Sequence, residues 1–414
     1  MQNIYIVGVG MTPFTRHPEL TVKDLTRWAV TDALRDAACY VAQIRACFFG
    51  NCAQSYLEGQ HLVKGQIALL PLGLQGIPIV NVENACATAS TALNMAYHFL
   101  RSGGSDVALA VGVDKMFTSD RARRFGIFDS AWDVTTSKHN HETILSLGAG
   151  VEAPAGTTSP SQYSPFMDVY ASFARQYIRR FGVTQRQLAA IASKNRGHAV
   201  LNERAQFREK MSIEEVLAAP PITYPLTLPM CSPISDGAAA AVLCNEDGLK
   251  RLGLGRRRAV VVHASVLRTA SAREGDDLEH HLTRMAAQDA YHLAALSPQD
   301  MHVAEVHDAT AMGELIQSEN LGFCALGEGG LLAERGATTL GGRIPINPSG
   351  GLESKGHPIG ATGLGQVFEL VSQLRGECGA RQVEGARFAI QENGGGIWGI
   401  EESVAHVGIY GRAT

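Results

Sequence analysis

The segment Asn347–Gly365 reads NPSGGLESKGHPIGATGLG, and six of its nineteen residues are glycine. Glycine loses more conformational freedom on folding than other residues, so this density usually serves a close approach of the backbone to a ligand or a reactive group. His357 lies between Gly356 and Pro358, where the backbone is restricted, and it is the candidate functional side chain of the segment. Ser349 and Gly350 are candidates for contact with an extended ligand, and a solvated turn explains them equally well.

The glycine-rich segment leads into a predicted helix and strand, and the same order occurs earlier in the chain. Gly360 lies 15 residues before Arg375, and Cys86 lies 15 residues before Arg101. Each of these helices is followed by an apolar run typical of a buried strand. Duplication of one sheet-plus-helix unit is the simplest explanation, with a chance coincidence of two spacings as the alternative.

Strand and helix patterns alternate along most of the chain, which indicates an α/β layered fold. The segment 117–230 is different, because it is richer in Arg, His, Ser, Thr and Pro and has few strand-like runs. The buried strand pattern then returns at Asp236–Cys244. We therefore predict an N-terminal half made of residues 1–116 and 231–257, an inserted loop domain at 117–230, and a C-terminal half at 258–414.

Composition excludes several classes of protein. Hydrophobic residues make up 45% and charged residues 18%, and the net charge is −4, which excludes a disordered chain and a strongly basic nucleic-acid-binding protein. The longest apolar runs, Val107–Val113 and Gly237–Cys244, are far shorter than the roughly 18 residues of a membrane span, and no leader pattern is present. Eight cysteines without a repeating spacing indicate free thiols and no metal site. We expect a cytoplasmic protein without membrane or nucleic-acid partners.

Cys86 lies between a β-type run and the start of a predicted helix. Unpaired N–H groups and the helix dipole lower the pKa of a thiol at such a position, which suits a nucleophile. The alternative is a buried cysteine in a tight strand-to-helix turn.

Two further strands deliver polar side chains to their carboxyl ends, the edge at which α/β sheets bind ligands. The run Val303–His307 delivers His307, and the strand from Phe388 delivers Glu392 just before the glycines 394–396. A solvated loop charge is the alternative for Glu392.

Four segments in order, with the C-terminal NGGG at 393–396, resemble one family. They are GVGMTPF at Gly8–Phe14, NACATAS around Cys86, VHDAT around His307 and the GHP segment around His357. The chain resembles the thiolase superfamily, and within it the sterol-carrier-protein-type thiolases, which are related to acetyl-CoA acetyltransferases. The resemblance covers the whole chain.

This resemblance implies a five-layered αβαβα fold of two similar halves with an inserted loop domain. It also implies a homodimer or larger assembly, coenzyme A as cosubstrate with no permanently bound cofactor, and in some relatives a small partner protein with an OB-fold and a zinc ribbon. Cys86 would take the acyl group, and His357 would lower its pKa and polarise a thioester oxygen. His307 with His357 would form one oxyanion hole, and the N–H of Cys86 with Gly394 or Gly395 the other.

The second cysteine of such enzymes is missing. It follows HD in the sterol-carrier-protein-type pattern, where this chain has Ala309, and it precedes the glycine run in ordinary thiolases, where this chain has Glu392. Carbon–carbon cleavage releases an enolate that must be protonated. We predict that Glu392 supplies the proton, because burial raises the pKa of a carboxyl group. A related pattern, HNxG, would instead place Glu392 at its histidine position. If replacing Glu392 with Gln left turnover near normal, His307, Glu314 or Cys324 would be reconsidered.

These features predict an acyltransferase that cleaves a 3-ketoacyl-CoA through an acyl-Cys86 intermediate, or that catalyses the reverse reaction, a Claisen condensation. The degradative direction is favoured. The altered proton-transfer position favours a branched, aromatic or steroid-derived substrate. Two alternatives stay open: a catalytically silent acyl-CoA-binding scaffold or carrier, and a retro-aldolase acting on a CoA thioester.

Overall fold

A computed structural model describes residues 2–413. Its strands are β1 (Ile4–Met11), β2 (Cys47–Gly50), β3 (Ile79–Val82), β4 (Val107–Lys115), β5 (Pro221–Thr223), β6 (Leu226–Thr227), β7 (Asp236–Asn245), β8 (Val260–Thr269), β9 (Val303–Glu305), β10 (Phe388–Gly395) and β11 (Val404–Arg412).

The helices frame this sheet and fill the segment between β4 and β7. They are α1 (Val22–Asp36), α2 (Gln54–Glu58), α3 (Lys64–Leu69), α4 (Thr88–Arg101), α5 (Arg121–Gly126), α6 (Ser137–Leu147), α7 (Phe166–Phe181), α8 (Gln185–Ala199), α9 (Ile213–Ala218), α10 (Glu246–Leu252), α11 (Leu282–Ala294), α12 (Ala311–Asn320), α13 (Gly329–Glu334), α14 (Gly351–Lys355) and α15 (Thr362–Arg375). Thr21 caps α1, since its hydroxyl accepts from the N–H of Asp24 at 3.2 Å.

Nine strands form one sheet in the order β3-β2-β4-β7-β1-β8-β11-β10-β9. The first five come from the first part of the chain and the last four from the second. The two parts join where Tyr5 and Ile6 of β1 pair antiparallel with Val261 and Val260 of β8. Ile346 forms a parallel bridge with Ala304 of β9. This bridge corresponds to the parallel pairing of β3 with β2 in the first part of the chain.

Both faces of the strands are covered, which explains their continuous apolar runs. Along β4, Ala108 and Ala110 face the central helices α4 and α15, whereas Val107, Leu109 and Val111 face the outer helix α1. Helix α11 covers β8 and β11 on the outer side of the second part. Strands from both parts of the sheet pack on the central helices α4 and α15, so the two parts form two separate layers. The layers therefore run helix, sheet, helix, sheet, helix, as the thiolase resemblance implies.

The internal repeat indicated by the two 15-residue spacings is present in the fold. Helices α4 and α15 are both 14 residues long, and each follows a short 3₁₀ turn, at Ala85–Ala87 and at Ile359–Ala361. The two helices pack against each other at the centre of the molecule.

The segment between β4 and β7 carries helices α5 to α9 and the two-stranded ribbon β5-β6. The limits 117–230 of the inserted domain remain a prediction. Within residues 2–413, no helix combines the length and the apolar character that a membrane span requires.

Candidate active site

Cys86 lies in the 3₁₀ turn that precedes α4, so the nucleophile candidate comes just before the predicted helix start. The residue before it, Ala85, has φ +47°, a left-handed conformation that costs a non-glycine residue about 1–3 kcal/mol. The turn is held from outside, because the Cys52 thiol donates to the Ala85 carbonyl at 3.2 Å and the N–H of Asn84 donates to the Thr88 hydroxyl at 2.8 Å. The strained turn presents the half-buried Cys86 to a cavity.

Three of the predicted side chains meet at this cavity. The Cys86 sulfur and one ring nitrogen from each of His307 and His357 all lie within 4.8 Å of one another. The two imidazole rings are edge to face, with centroids 5.2 Å apart. The cysteine spacings did not reveal this grouping, because Cys86 lies more than 200 residues before both histidines.

Hydrogen bonds fix the tautomer of His357. The Thr362 hydroxyl donates to the Pro358 carbonyl at 3.0 Å, so it can only accept from Nδ1 of His357, 2.6 Å away. Nδ1 therefore carries the proton and Nε2 carries a lone pair. Burial, with the nearby His307 and the charge of Lys355, holds the pKa of His357 well below its usual range. The imidazole is thus a neutral base.

The sequence prediction that the helix start and the imidazole lower the pKa of Cys86 is wrong for the resting protein. Burial, followed by the charges of Glu83 and Asp114, raises the pKa of the Cys86 thiol to about 12. Desolvation outweighs the favourable backbone N–H. The resting pair is a neutral thiol beside a neutral imidazole, so the proton must leave sulfur as sulfur attacks.

His307 follows β9, which ends at Glu305 rather than at His307 as predicted. Its N–H donates to the Glu392 carboxylate at 2.9 Å, and its Nδ1 lies 3.5 Å from the Tyr170 hydroxyl. Nε2 is buried and has no hydrogen-bond partner among the described residues. Burial lowers the pKa of His307 to about 4, so this imidazole is also neutral at pH 7.

Gly395 lies directly against the backbone of the nucleophile turn. A Cβ at this position would be 2.5 Å from the Asn84 carbonyl, 2.7 Å from the Ala87 nitrogen and 3.1 Å from the Cys86 nitrogen. A glycine is therefore required beside the Cys86 N–H. A Cβ added to Gly394 would instead point toward Glu402 and lie 2.9 Å from the side chain of that residue.

Three other predicted site residues are buried and do not line the cavity. The Ser349 hydroxyl donates to Glu305 at 2.8 Å, and Gly350 lies against Ala199 with φ +102°. This placement argues against the predicted direct contact of Ser349 and Gly350 with an extended ligand. Glu392 lies behind His307 and accepts from its N–H, and burial followed by the charge of Glu402 raises its pKa well above the usual range.

The cavity has a volume of about 360 Å³, and much of its wall comes from the segment between β4 and β7. Its larger apolar and aromatic lining residues are Phe125, Ile127, Phe128, Phe166, Met167, Ile222, Leu228, Ile234 and Ile359. Sequence reasoning did not identify the titratable lining residues Cys52, Glu83, Tyr163 and Cys231. They carry no motif, and only the three-dimensional fold brings them to the wall.

Comparisons with known proteins agree with the geometry. Residues 4–216 match the family model "Thiolase, N-terminal domain" and residues 264–408 match "Thiolase C-terminal domain-like". Sterol carrier protein 2 of Bos taurus is 39% identical, with 94% of this chain and 69% of that protein covered. Acetyl-CoA acetyltransferase of Methanothermobacter thermautotrophicus is 35% identical, with 96% and 98% covered. The benzoylsuccinyl-CoA thiolase subunit BbsB of Thauera aromatica is 33% identical, with 92% of each chain covered.

Solved structures share the fold. An Ltp2–ChsH2(DUF35) aldolase matches 99% of this chain and 98% of its own, with a TM-score of 0.75 at 20% identity. Human mitochondrial 3-ketoacyl-CoA thiolase in complex with CoA matches 100% and 98%, with a TM-score of 0.66 at 16% identity.

The raised pKa of Cys86 makes a prediction about alkylation by iodoacetamide. Only the thiolate reacts, so a pKa near 12 requires the rate at Cys86 to rise about tenfold per pH unit between pH 6 and pH 9. Peptide mass spectrometry would follow the labelled peptide, with Cys86→Ser as the control for its assignment. A rate that is already constant above pH 6 would show a thiolate–imidazolium pair and contradict the neutral pair.

Proposed function

The chain belongs to the thiolase family, and on that premise we propose that it cleaves a 3-ketoacyl-CoA with coenzyme A, or runs the reverse condensation, through an acyl group carried on Cys86. The observation that carries this proposal is the convergence of the Cys86 sulfur with nitrogens of His307 and His357 within 4.8 Å, at the wall of an apolar cavity. A nucleophile within reach of a neutral base is the arrangement that covalent acyl transfer needs.

In the first half-reaction, the Cys86 sulfur attacks the C3 carbonyl of the substrate while its proton passes to Nε2 of His357. The alkoxide that forms is stabilised by the Cys86 N–H beside Gly395. The C2–C3 bond then breaks, the acyl group stays on sulfur, and the electron pair becomes the enolate of acetyl-CoA. Nε2–H of His307 donates to the enolate oxygen, and C2 takes the proton from His357.

In the second half-reaction, the CoA thiol gives its proton to His357 and attacks the acyl carbon. The Cys86 sulfur leaves and takes the proton back. One imidazole therefore moves one proton in each half-reaction, and no second thiol is needed at Ala309.

This assignment replaces the Glu392 hypothesis, because Glu392 is separated from the cavity by the His307 backbone that it binds. Glu314 and Cys324 are placed no better, whereas His307 lies at the cavity and is assigned to the enolate oxygen. Glu314 forms an ion pair with Lys194 at 2.6 Å, and Cys324 does not line the cavity.

The cavity supports a bulky apolar acyl group. Phe128 and Phe166 lie edge to face with centroids 6.1 Å apart, and Trp132 stacks on Phe166 at 6.3 Å. Aromatic walls favour flat, apolar groups, since such pairs add about 0.5–1.5 kcal/mol beyond area burial. The name of the Thauera aromatica relative also contains an aromatic acyl-CoA. We therefore favour an aromatic or branched substrate.

The assembly is part of the proposal. Strand β3 ends the sheet, and no described strand pairs with its outer edge. Val80 of this strand and the neighbouring Ile67 and Leu70 are exposed, so a second copy would cover both an open edge and an apolar surface. A small OB-fold, zinc-ribbon protein is the second candidate partner, and the name of one solved neighbour includes a DUF35 component.

Intact-protein mass spectrometry tests the acyl-enzyme. The protein would be incubated with straight-chain, branched and aromatic 3-ketoacyl-CoA thioesters. We expect the mass to rise by the acyl group, Cys86→Ser to show no increase, and added CoA to discharge the adduct. An adduct that CoA cannot discharge would indicate a carrier, and cleavage of the 3-ketoacyl-CoA without any adduct would indicate a route that bypasses Cys86; either result contradicts the proposal.

Substitution of Glu392 separates the two proton-transfer hypotheses. Glu392→Gln keeps the oxygen that accepts from the His307 N–H, so we expect kcat close to that of the wild type. His357→Ala removes the proposed shuttle, and we expect kcat to fall by about 100-fold or more. Steady-state thiolysis rates measure both, and a similar loss in Glu392→Gln would restore Glu392 as the proton donor.

A further inference from the structure

We propose that Tyr170 is a positioning residue, which holds His307 in the tautomer whose Nε2 carries the proton and faces the substrate. This inference rests on the proposed function, because it concerns the oxygen that forms during acyl transfer. It assigns a role to a side chain outside the cavity wall and outside every motif that the sequence analysis identified.

Tyr170 lies in the first half of α7 and reaches His307 from behind. Its side chain is buried, and its hydroxyl is 3.5 Å from Nδ1 of His307. This is long for a hydrogen bond, as is common for catalytic groups before substrate binds. The ring is held edge to face against Phe173, with centroids 6.1 Å apart, so the hydroxyl position is fixed by packing.

The surroundings decide which of the two atoms donates. Burial, followed by the charge of Glu402, raises the pKa of Tyr170 well above its usual range, so the phenol keeps its proton. Its hydroxyl has no hydrogen-bond partner other than His307 among residues 2–413. If Nδ1 donated instead, the buried phenol proton would be left without an acceptor, which costs about 1–3 kcal/mol. The Tyr170 hydroxyl therefore donates to Nδ1, and the imidazole proton lies on Nε2.

The consequence is that the two imidazoles have complementary roles. Thr362 leaves a lone pair on Nε2 of His357, and Tyr170 leaves a proton on Nε2 of His307. One ring accepts the proton of the nucleophile while the other donates to the developing oxyanion. With the opposite tautomer, His307 would present a lone pair to a negatively charged oxygen and oppose the reaction.

Tyr170→Phe is the variant that tests this role, because it keeps the ring and removes only the hydroxyl. Complete loss of one oxyanion donor lowers kcat by about 100-fold to 1,000-fold. Tyr170→Phe removes only the hydroxyl that keeps the His307 proton on Nε2, so we expect kcat to fall by about tenfold or more with little change in KM. Tyr177→Phe is the matched control, since Tyr177 is a buried tyrosine on the same helix that does not line the cavity. We expect its kcat to stay at the wild-type value.

Nitrogen-15 NMR of protein labelled at histidine gives a readout that does not depend on activity. The His307 signals would be assigned by their loss in His307→Gln. In the wild type we expect a protonated Nε2 and an unprotonated Nδ1, and in Tyr170→Phe a mixture of tautomers. A wild-type protein with the proton on Nδ1 would overturn the inference, even if the acyl-enzyme forms as proposed.

A double-variant cycle separates positioning from general loss of structure. If Tyr170 acts through His307, then adding Tyr170→Phe to His307→Ala should cause no further loss of kcat. A further loss equal to that of Tyr170→Phe alone would show that Tyr170 acts elsewhere and would overturn the inference. Absence of any acyl-enzyme in the wild type would instead reject the proposed function and leave the NMR result to stand on its own.

Discussion

The contact between helices α4 and α15 determines where the reactive groups lie. The turns that precede the two helices contact each other, and Gly363 at the start of α15 has no room for a Cβ because Ser90 of α4 occupies that space. Cys86 precedes one helix and His357 precedes the other. The packing of the two repeats therefore brings a thiol from the first part of the chain to an imidazole from the second.

Burial then sets the protonation of the site. Desolvation raises the pKa of Cys86 and lowers that of both histidines, so all three groups are neutral when the site is empty. A neutral pair avoids the cost of separated charges in an apolar cavity. It also lets one imidazole carry a proton from the nucleophile to the product, which offers a physical reason why a second thiol at Ala309 can be dispensed with.

Much of this arrangement could be predicted from the sequence. The periodicities predict β4 and the two repeated helices, and the motifs predict that Cys86, His307 and His357 share one site. The inserted segment could not be placed, because its walls depend on long-range packing that no periodicity records. The error on the pKa of Cys86 has the same origin, since a helix start is visible in a sequence and the degree of burial is not.

The predicted roles of Ser349, Gly350 and Glu392 show a second limit. The glycine density around Ser349 does reflect close backbone packing, but Gly350 packs against Ala199 and Gly351 against the buried carboxyl of Asp308 rather than against a ligand. The position of Glu392 before the glycine run predicts a proton donor, but the fold turns its carboxyl group toward the His307 backbone. A motif position fixes the strand end and leaves the direction of the side chain open.

A crystal structure of the protein soaked with an aromatic 3-ketoacyl-CoA tests the central claim most directly. The account predicts density continuous from the Cys86 sulfur to an acyl carbon, with the acyl oxygen at the Cys86 N–H and the substrate ring in contact with Phe128 and Phe166. An intact thioester bound away from that sulfur, or an acyl group on another residue, would contradict it.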